Sequence, residues 1–239
     1  MEFSEDALQH VREDRLLIDQ VDLWLYEEIR PYLGCRLLEI GCGMGNFASH
    51  LSDSELYVGT DISAESVSYL RGAYEDQPNV KALVADVLDD AFLDLAHYQI
   101  DTVFCLNVLE HLENDALALR NAYHVLQPGG RLVLVLPAHD WLYGTIDRAI
   151  GHYRRYDKTG VDRLLRQTGL VPVKQKYINA LGAVGWFVSG RLFHHTTPPS
   201  GQLRLFNRLV PLLKTVERAM PMPFGISLMS VGEKANHGE

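Results

Sequence analysis

LLEIGCGMGNF (37–47) is the stretch that decides the fold. A short apolar run closes on Glu39 and Ile40, and glycines follow at 41, 43 and 45. Glycines suit such a strand-to-helix turn because the chain must bend sharply and a ligand must reach bare backbone. The spacing is G-x-G-x-G, with Asn46 standing where a dinucleotide fingerprint has its third glycine. Taken alone, the stretch admits a purely structural turn as well as a nucleotide-like ligand.

Outward from this turn, short apolar runs alternate with amphipathic stretches. Strands are expected at 35–40, 55–60, 79–84, 100–106, 131–136 and 170–177, with one more near 225–233. Helices are expected at 46–51, from an N-cap at Ser63 to about Arg71, at 114–126 and at 158–168. Residues 7–31 also read as helix, with Leu16, Leu17, Val21, Trp24, Leu25 and Ile29 recurring every three or four positions. This rhythm predicts an α/β fold, a three-layer Rossmann-like doubly wound sheet, mostly parallel. The chain is expected to form one domain, with residues 1–34 as an N-terminal helical cap. Residues 179–224, punctuated by Pro198, Pro199, Pro211, Pro221 and Pro223, read as a helical insertion or lid before the last strand.

Composition narrows the function classes. The 239 residues carry a net charge of -9, which argues against general nucleic-acid binding because phosphate contacts need a basic footprint. The charge is uneven: residues 1–100 carry -14, residues 101–170 balance, and residues 171–239 carry +5. No apolar run reaches the ~18 residues of a membrane span, and MEFSEDALQH has no leader pattern. Cys35, Cys42 and Cys105 form neither a C-x-x-C pair nor an even set, so a disulfide framework and a thiolate zinc site are not expected. A cytoplasmic protein is the expectation.

Two carboxylates sit at expected strand ends. Asp61, followed by Ile62, ends the second strand and is placed to accept from both hydroxyls of a ribose; its alternative role is a helix cap, for which Ser63 is better suited. Asp86, before Val87, holds the matching place after the third strand, for an adenine amino group or for a turn.

FCLNVLEHLEND (104–115) and LQPGGRLVLVLP (126–137) complete the series. With the glycine turn, Asp61 and Asp86 in the same order, the chain resembles the class I S-adenosylmethionine-dependent methyltransferases over about residues 35–178 and again at the last strand. The resemblance implies seven strands with the last antiparallel, and S-adenosylmethionine as cofactor. It implies that Gly41, Gly43 and Gly45 border the methionine and ribose, with Glu39 near the amino acid end. Asp61 and Ile62 would serve the ribose, Asp86 and Val87 the adenine, and Asn107 the floor by the sulfonium. An NAD-binding oxidoreductase would have to explain the displaced third glycine and the L-x-P-G-G turn.

Methyl transfer from a sulfonium needs alignment, exclusion of water and, for a hydroxyl acceptor, removal of a proton. PAHDWLYGTIDRAIGHYRRYD (137–157), expected to be a long polar-aromatic loop over 137–156, follows the fifth strand, at the sheet edge where doubly wound folds bind ligands. His139, Tyr143, Asp147, Tyr153, Arg154, Arg155 and Tyr156, with Trp186, are the expected acceptor contacts, and His152 and His111 the expected bases. The wording of this stretch resembles a bacterial methyltransferase group linked to polysaccharide and lipid-sugar pathways. In ubiquinone-pathway methyltransferases a similar E-x-x-E-H segment holds a divalent cation; here Asn107 replaces the first glutamate of the pattern, and no metal is expected at Glu110 and His111.

The insertion joins apolar NALGAVGWFVSGRLF (179–193) to basic, amphipathic LRLFNRLVPLLKTVER (203–218). Packing on the parent fold, a homodimer contact, a lid over an apolar acceptor and a peripheral membrane contact are its open readings. The expected reaction is methyl transfer to an oxygen, before nitrogen or carbon, of a small or lipid-linked acceptor. The competing class is a silent cofactor-binding partner subunit.

Overall fold

The computed structural model describes residues 19–197, 200–220 and 222–236. Helix α1 spans Asp19–Ile29, and the expected helix before residue 19 lies outside the described residues. Strand β1 (Arg36–Ile40) leads through the glycine turn into α2 (Ala48–Leu51), then β2 (Leu56–Asp61), α3 (Ala64–Ala73) and β3 (Val80–Val84). A 3-10 stretch (Asp90–Tyr98) precedes β4 (Ile100–Leu106), α4 (Asp115–Val125) and β5 (Leu126–Pro137). Short α5 (Thr145–Ala149), α6 (Lys158–Gln167) and β6 (Leu170–Ile178) follow. The insertion is α7 (Ala180–Phe187), one π turn and α8 (Ser200–Ala219), and β7 (Ser227–Lys234) closes the sheet.

The sheet order is β3-β2-β1-β4-β5-β7-β6. The first five strands pair in parallel, and β7 runs antiparallel to both β5 and β6. Alternation along the strands sends side chains to opposite faces. Leu38, Val103 and Leu132 join one core with Leu119, Val125 and Val161, while Leu37, Phe104 and Val133 join the other with Trp24, Leu70 and Val210. The insertion therefore packs on the same face as α1, held there by Lys214 and Arg218 on Glu27.

Three expectations are corrected. The helix expected at 46–51 begins only at Ala48, because glycine-turn backbone runs on through Phe47. β5 starts at Leu126 rather than 131: Leu126 pairs with Ile100 and Arg131 with Thr102, so Gln127–Gly130 bulge out of the strand, with Gly129 at φ +76°. The stretch 137–156 is not a loop throughout, since a 3-10 turn (Asp140–Leu142) and α5 are folded into it. Ser63 caps α3 as expected, accepting from the Ser66 N–H at 3.2 Å.

Candidate active site

At the carboxyl ends of β1 and β2 the backbone itself forms the site. Gly41, Gly43 and Gly45 all have positive φ, a region that costs residues with a Cβ. A Cβ on Gly41 would strike Val108 and one on Gly45 would strike Leu70, whereas at Gly43 no atom lies within 4 Å. The first and third glycines thus serve packing, and the second leaves an open cradle. Asp61 Oδ2 accepts from Gly43 N–H at 2.9 Å and Oδ1 from Ser63 N–H at 2.8 Å, which fixes the carboxylate across the mouth of that cradle. A carboxylate offers about four lone-pair sites, so two remain for hydroxyl donors. Ile62 is 74% exposed beside it. These residues fit the adenosyl group that the motif order implies.

Other expected cofactor residues turn out to be busy. Glu39 is buried and accepts from the Tyr57 hydroxyl. Burial, with Asp61 and Asp22 nearby, pushes its carboxyl up to about 8 despite that hydrogen bond. Asp86 Oδ1 accepts from Leu88 N–H at 2.8 Å, forming a turn, and Val87 is buried with its carbonyl accepting from Asn121. Asn107 directly follows β4 at φ +54°, its N–H donating to the Val135 carbonyl, and lines a neighbouring cavity.

That cavity encloses about 720 Å3 between the sheet edge, α1, α7 and α8. Asn107, Glu110, His111, His152 and Arg155 supply one polar end, Asp22, Asn179, Ser189 and Ser227 add polar groups elsewhere, and the rest of the wall is mainly apolar, including Trp24, Leu25, Ile178, Trp186 and Phe206. Behind the polar end lies Asp147, fully buried, which accepts from His152 Nδ1 (3.0 Å), Arg155 Nε (2.8 Å), Gly144 N–H (2.9 Å) and Trp186 Nε1 (3.1 Å). Burial alone would raise the Asp147 carboxyl, but the His152 hydrogen bond, the Arg155 charge and the other donors outweigh it and hold it at about 2. An ionised Asp147 only accepts, so Nδ1 of His152 carries the proton of this hydrogen bond and Nε2 is the ring atom left facing the cavity side. The Tyr143 hydroxyl steadies the same loop by donating to the His152 carbonyl at 2.8 Å.

Nε2 of His152 lies 3.7 Å from Glu110 Oε1, and both Glu110 oxygens are buried with no hydrogen-bond partner among the described residues. Burial, the main cause, pushes the Glu110 carboxyl up to about 8. Glu110, His111 and His152 each offer one ligand atom, all within 4.8 Å of one another, so the third member of this group comes from the loop after β5 rather than from the Glu110–His111 segment.

Of the expected acceptor residues, Arg155 and Trp186 line the cavity with both histidines, the guanidinium lying 5.2 Å from the indole ring centre. Asp147 and Tyr143 stand behind it. The structure does not bring the other four to it. His139 packs between Tyr177 and Trp141, Tyr153 is exposed, and Tyr156 and Arg154 both engage Asp115 at 3.0 Å. The sequence reading missed the α1 wall: Val21, Trp24 and Leu25 read as an ordinary core stripe, and periodicity does not say that a cavity lies beneath.

Comparison with known proteins identifies the frame. Residues 38–134 match the family model described as methyltransferase domain. Over those residues the chain is similar to a methyltransferase domain. An uncharacterised 37.1 kDa protein of a Streptomyces fradiae transposon is 34% identical over 148 residues, 58% of this chain and 40% of that protein. A Pyrenophora dematioidea O-methyltransferase is 26% identical over 132 residues, 54% of this chain and 49% of that one. This chain thus spans about half or less of the length of these two relatives. A solved geranyl diphosphate methyltransferase in complex with S-adenosylmethionine shares the fold at TM-score 0.61 and 13% identity, over 88% of this chain and 84% of that one. No helix among the described residues is long and apolar enough to cross a membrane.

Proposed function

We infer that this methyltransferase methylates a hydroxyl oxygen on an acceptor that joins a polar head to an apolar body, a small or lipid-linked molecule. The observation that carries the reading is the cavity of about 720 Å3, whose mainly apolar walls also present a cluster of Asn107, Glu110, His111, His152 and Arg155. When bound, S-adenosylmethionine supplies a methyl group already activated on a sulfonium. Gly43 and Asp61 would hold its ribose, and Asn107 would stand between cofactor and acceptor. His152 takes the hydroxyl proton at Nε2 as the oxygen attacks, while Asp147 holds the ring and stabilises the imidazolium that results. The apolar walls exclude water and fix the body of the acceptor. The O-methyltransferase relative supports oxygen over nitrogen or carbon.

The test is S-adenosylhomocysteine release with phenols and prenyl or acyl-chain alcohols, followed by mass spectrometry of the product. His152→Gln, which keeps a hydrogen bond without a base, should lower turnover by about 10²–10⁴-fold. Near-normal turnover in that variant removes His152 as the base. Loss of wild-type turnover in a chelator would instead give the proton step to a cation at Glu110, His111 and His152.

A further inference from the structure

Helix α8 carries more apolar surface than the fold uses. At 100° per residue, Leu203, Phe206, Val210, Leu213 and Glu217 share one face, and this face turns inward: Val210 is buried, and Phe206 and Leu213 pack on the core. Glu217 is buried with them and accepts from Asn179 N–H (2.9 Å) and Ala180 N–H (2.7 Å). Beside that face runs a second stripe at spacings of four, three, four and four: Leu205, Leu209, Leu212, Val216 and Met220. It faces solvent, with Leu205 61%, Leu212 63% and Met220 60% exposed. Together the two stripes cover roughly half the helix circumference, well beyond the ~100° arc that packing against one core needs. On α7, Leu181 and Val184 extend the exposed apolar surface across the rim of the shared cavity.

The charge carried by this segment itself is nearly all basic. Residues 180–220 include five basic side chains and a single acidic one, the buried Glu217. Lys214 and Arg218 are spent on Glu27 of α1, but Arg204 and Arg208 are exposed, flank the stripe on its polar edge and make no salt bridge among the described residues. The acidic excess of the chain lies in residues 1–100. The surface is also continuous with the cavity, because Leu181, Val184, Leu205 and Leu209 line it while standing partly in solvent.

We propose that the exposed stripe of α8, with the α7 leucine and valine, docks on an anionic lipid bilayer and opens the cavity directly onto it. An apolar helix face edged by arginine lies in the interfacial plane, its leucines among acyl chains and its guanidinium groups at anionic headgroups. In that orientation an acceptor with an apolar body passes from bilayer to cavity without crossing water. The inference rests on the proposed acceptor for what enters the cavity, and on the helix surface alone for the docking.

The test is co-sedimentation of the full chain with vesicles of phosphatidylcholine, with and without phosphatidylglycerol, beside calorimetry of S-adenosylhomocysteine binding. The wild-type chain is expected to sediment with the anionic vesicles, and about 1 M salt should weaken the interaction by screening the arginines. Leu212→Glu should reduce binding at least ten-fold and Arg208→Glu several-fold, both with unchanged S-adenosylhomocysteine affinity, since neither residue lines the cavity or the cofactor edge. No binding of a chain that still binds S-adenosylhomocysteine overturns the docking, as does equal binding of Leu212→Glu. A wild-type dimer that Leu212→Glu converts to monomer overturns it too, by giving the stripe to a second copy. Vesicle binding without turnover on any hydroxyl acceptor leaves the docking standing and overturns the acceptor reading instead.

Discussion

The proposed cofactor edge and the proposed acceptor cavity are built by opposite means. At the cofactor edge, backbone dominates: three glycines, a carboxylate bonded to N–H groups two and eighteen residues away, and strand ends that the parallel sheet places side by side. At the cavity, side chains from distant segments dominate, and one buried carboxylate gathers them. Asp147 joins the loop after β5 to α7 through Trp186 and holds His152 and Arg155 at once. A backbone-built site loses ligand contacts when a side chain is changed, whereas a side-chain-built site loses its own framework.

Asp147→Ala tests that contrast most severely. It would leave the buried Arg155 guanidinium without its ion pair and the His152, Gly144 and Trp186 donors without an acceptor. Removing one partner of a buried pair costs about 3–5 kcal/mol, so chemical denaturation should show a loss of that size. Cofactor affinity of the protein that remains folded should change little, because no Asp147 contact reaches the glycine turn. A stability loss under 1 kcal/mol would mean that Asp147 is not the clasp of the cavity.

The mirror experiment is Asp61→Ala. Here the expected change is in binding: S-adenosylhomocysteine affinity should fall by about 1.5–3 kcal/mol in calorimetry, the scale of hydrogen bonds to a charged group. The Gly43 and Ser63 N–H groups lose an acceptor, at about 1 kcal/mol of stability. An unchanged affinity would break the comparison from the other side, by showing that the cofactor edge needs only its backbone.

The same division explains what the sequence made legible. The strand order and the cofactor edge follow from local signals, since a glycine turn, a strand-end aspartate and the Ser63 cap each act within a few residues. The Asp147 hub was read only as one polar residue in a rich loop, because its role depends on Trp186, 39 positions away. Four loop residues expected at the acceptor point elsewhere for a related reason: α5 turns the chain midway, so sharing a loop does not mean sharing a face. Glu39 was placed near the cofactor by motif order, and the buried Tyr57 hydroxyl that occupies its carboxyl lies on the next strand, outside any local pattern.

Glu39 gives the smallest and most selective test. Its carboxyl titrates near 4.5 when the chain is unfolded and at about 8 when folded, because burial disfavours the charge. For a carboxyl raised in this way the folded state holds the proton more tightly. Its contribution is therefore fully present below pH 4.5 and is lost as pH rises toward 8. Between these limits one such group makes unfolding easier by about 1.4 kcal/mol per pH unit. Glu39→Gln keeps the size of the side chain and an oxygen for Tyr57 but carries no ionisable proton. Denaturant titrations of the unliganded protein at pH 6, 7 and 8 should show a shallower decline for the variant, with the two proteins closest at pH 6. The cofactor edge and the acceptor cavity would then differ in electrostatics as well as in construction, with a neutral acid beneath the glycine turn and an ionised one behind His152. Parallel declines would place a charged Glu39 in the folded protein at neutral pH, and with it a fixed anion beside the glycine turn.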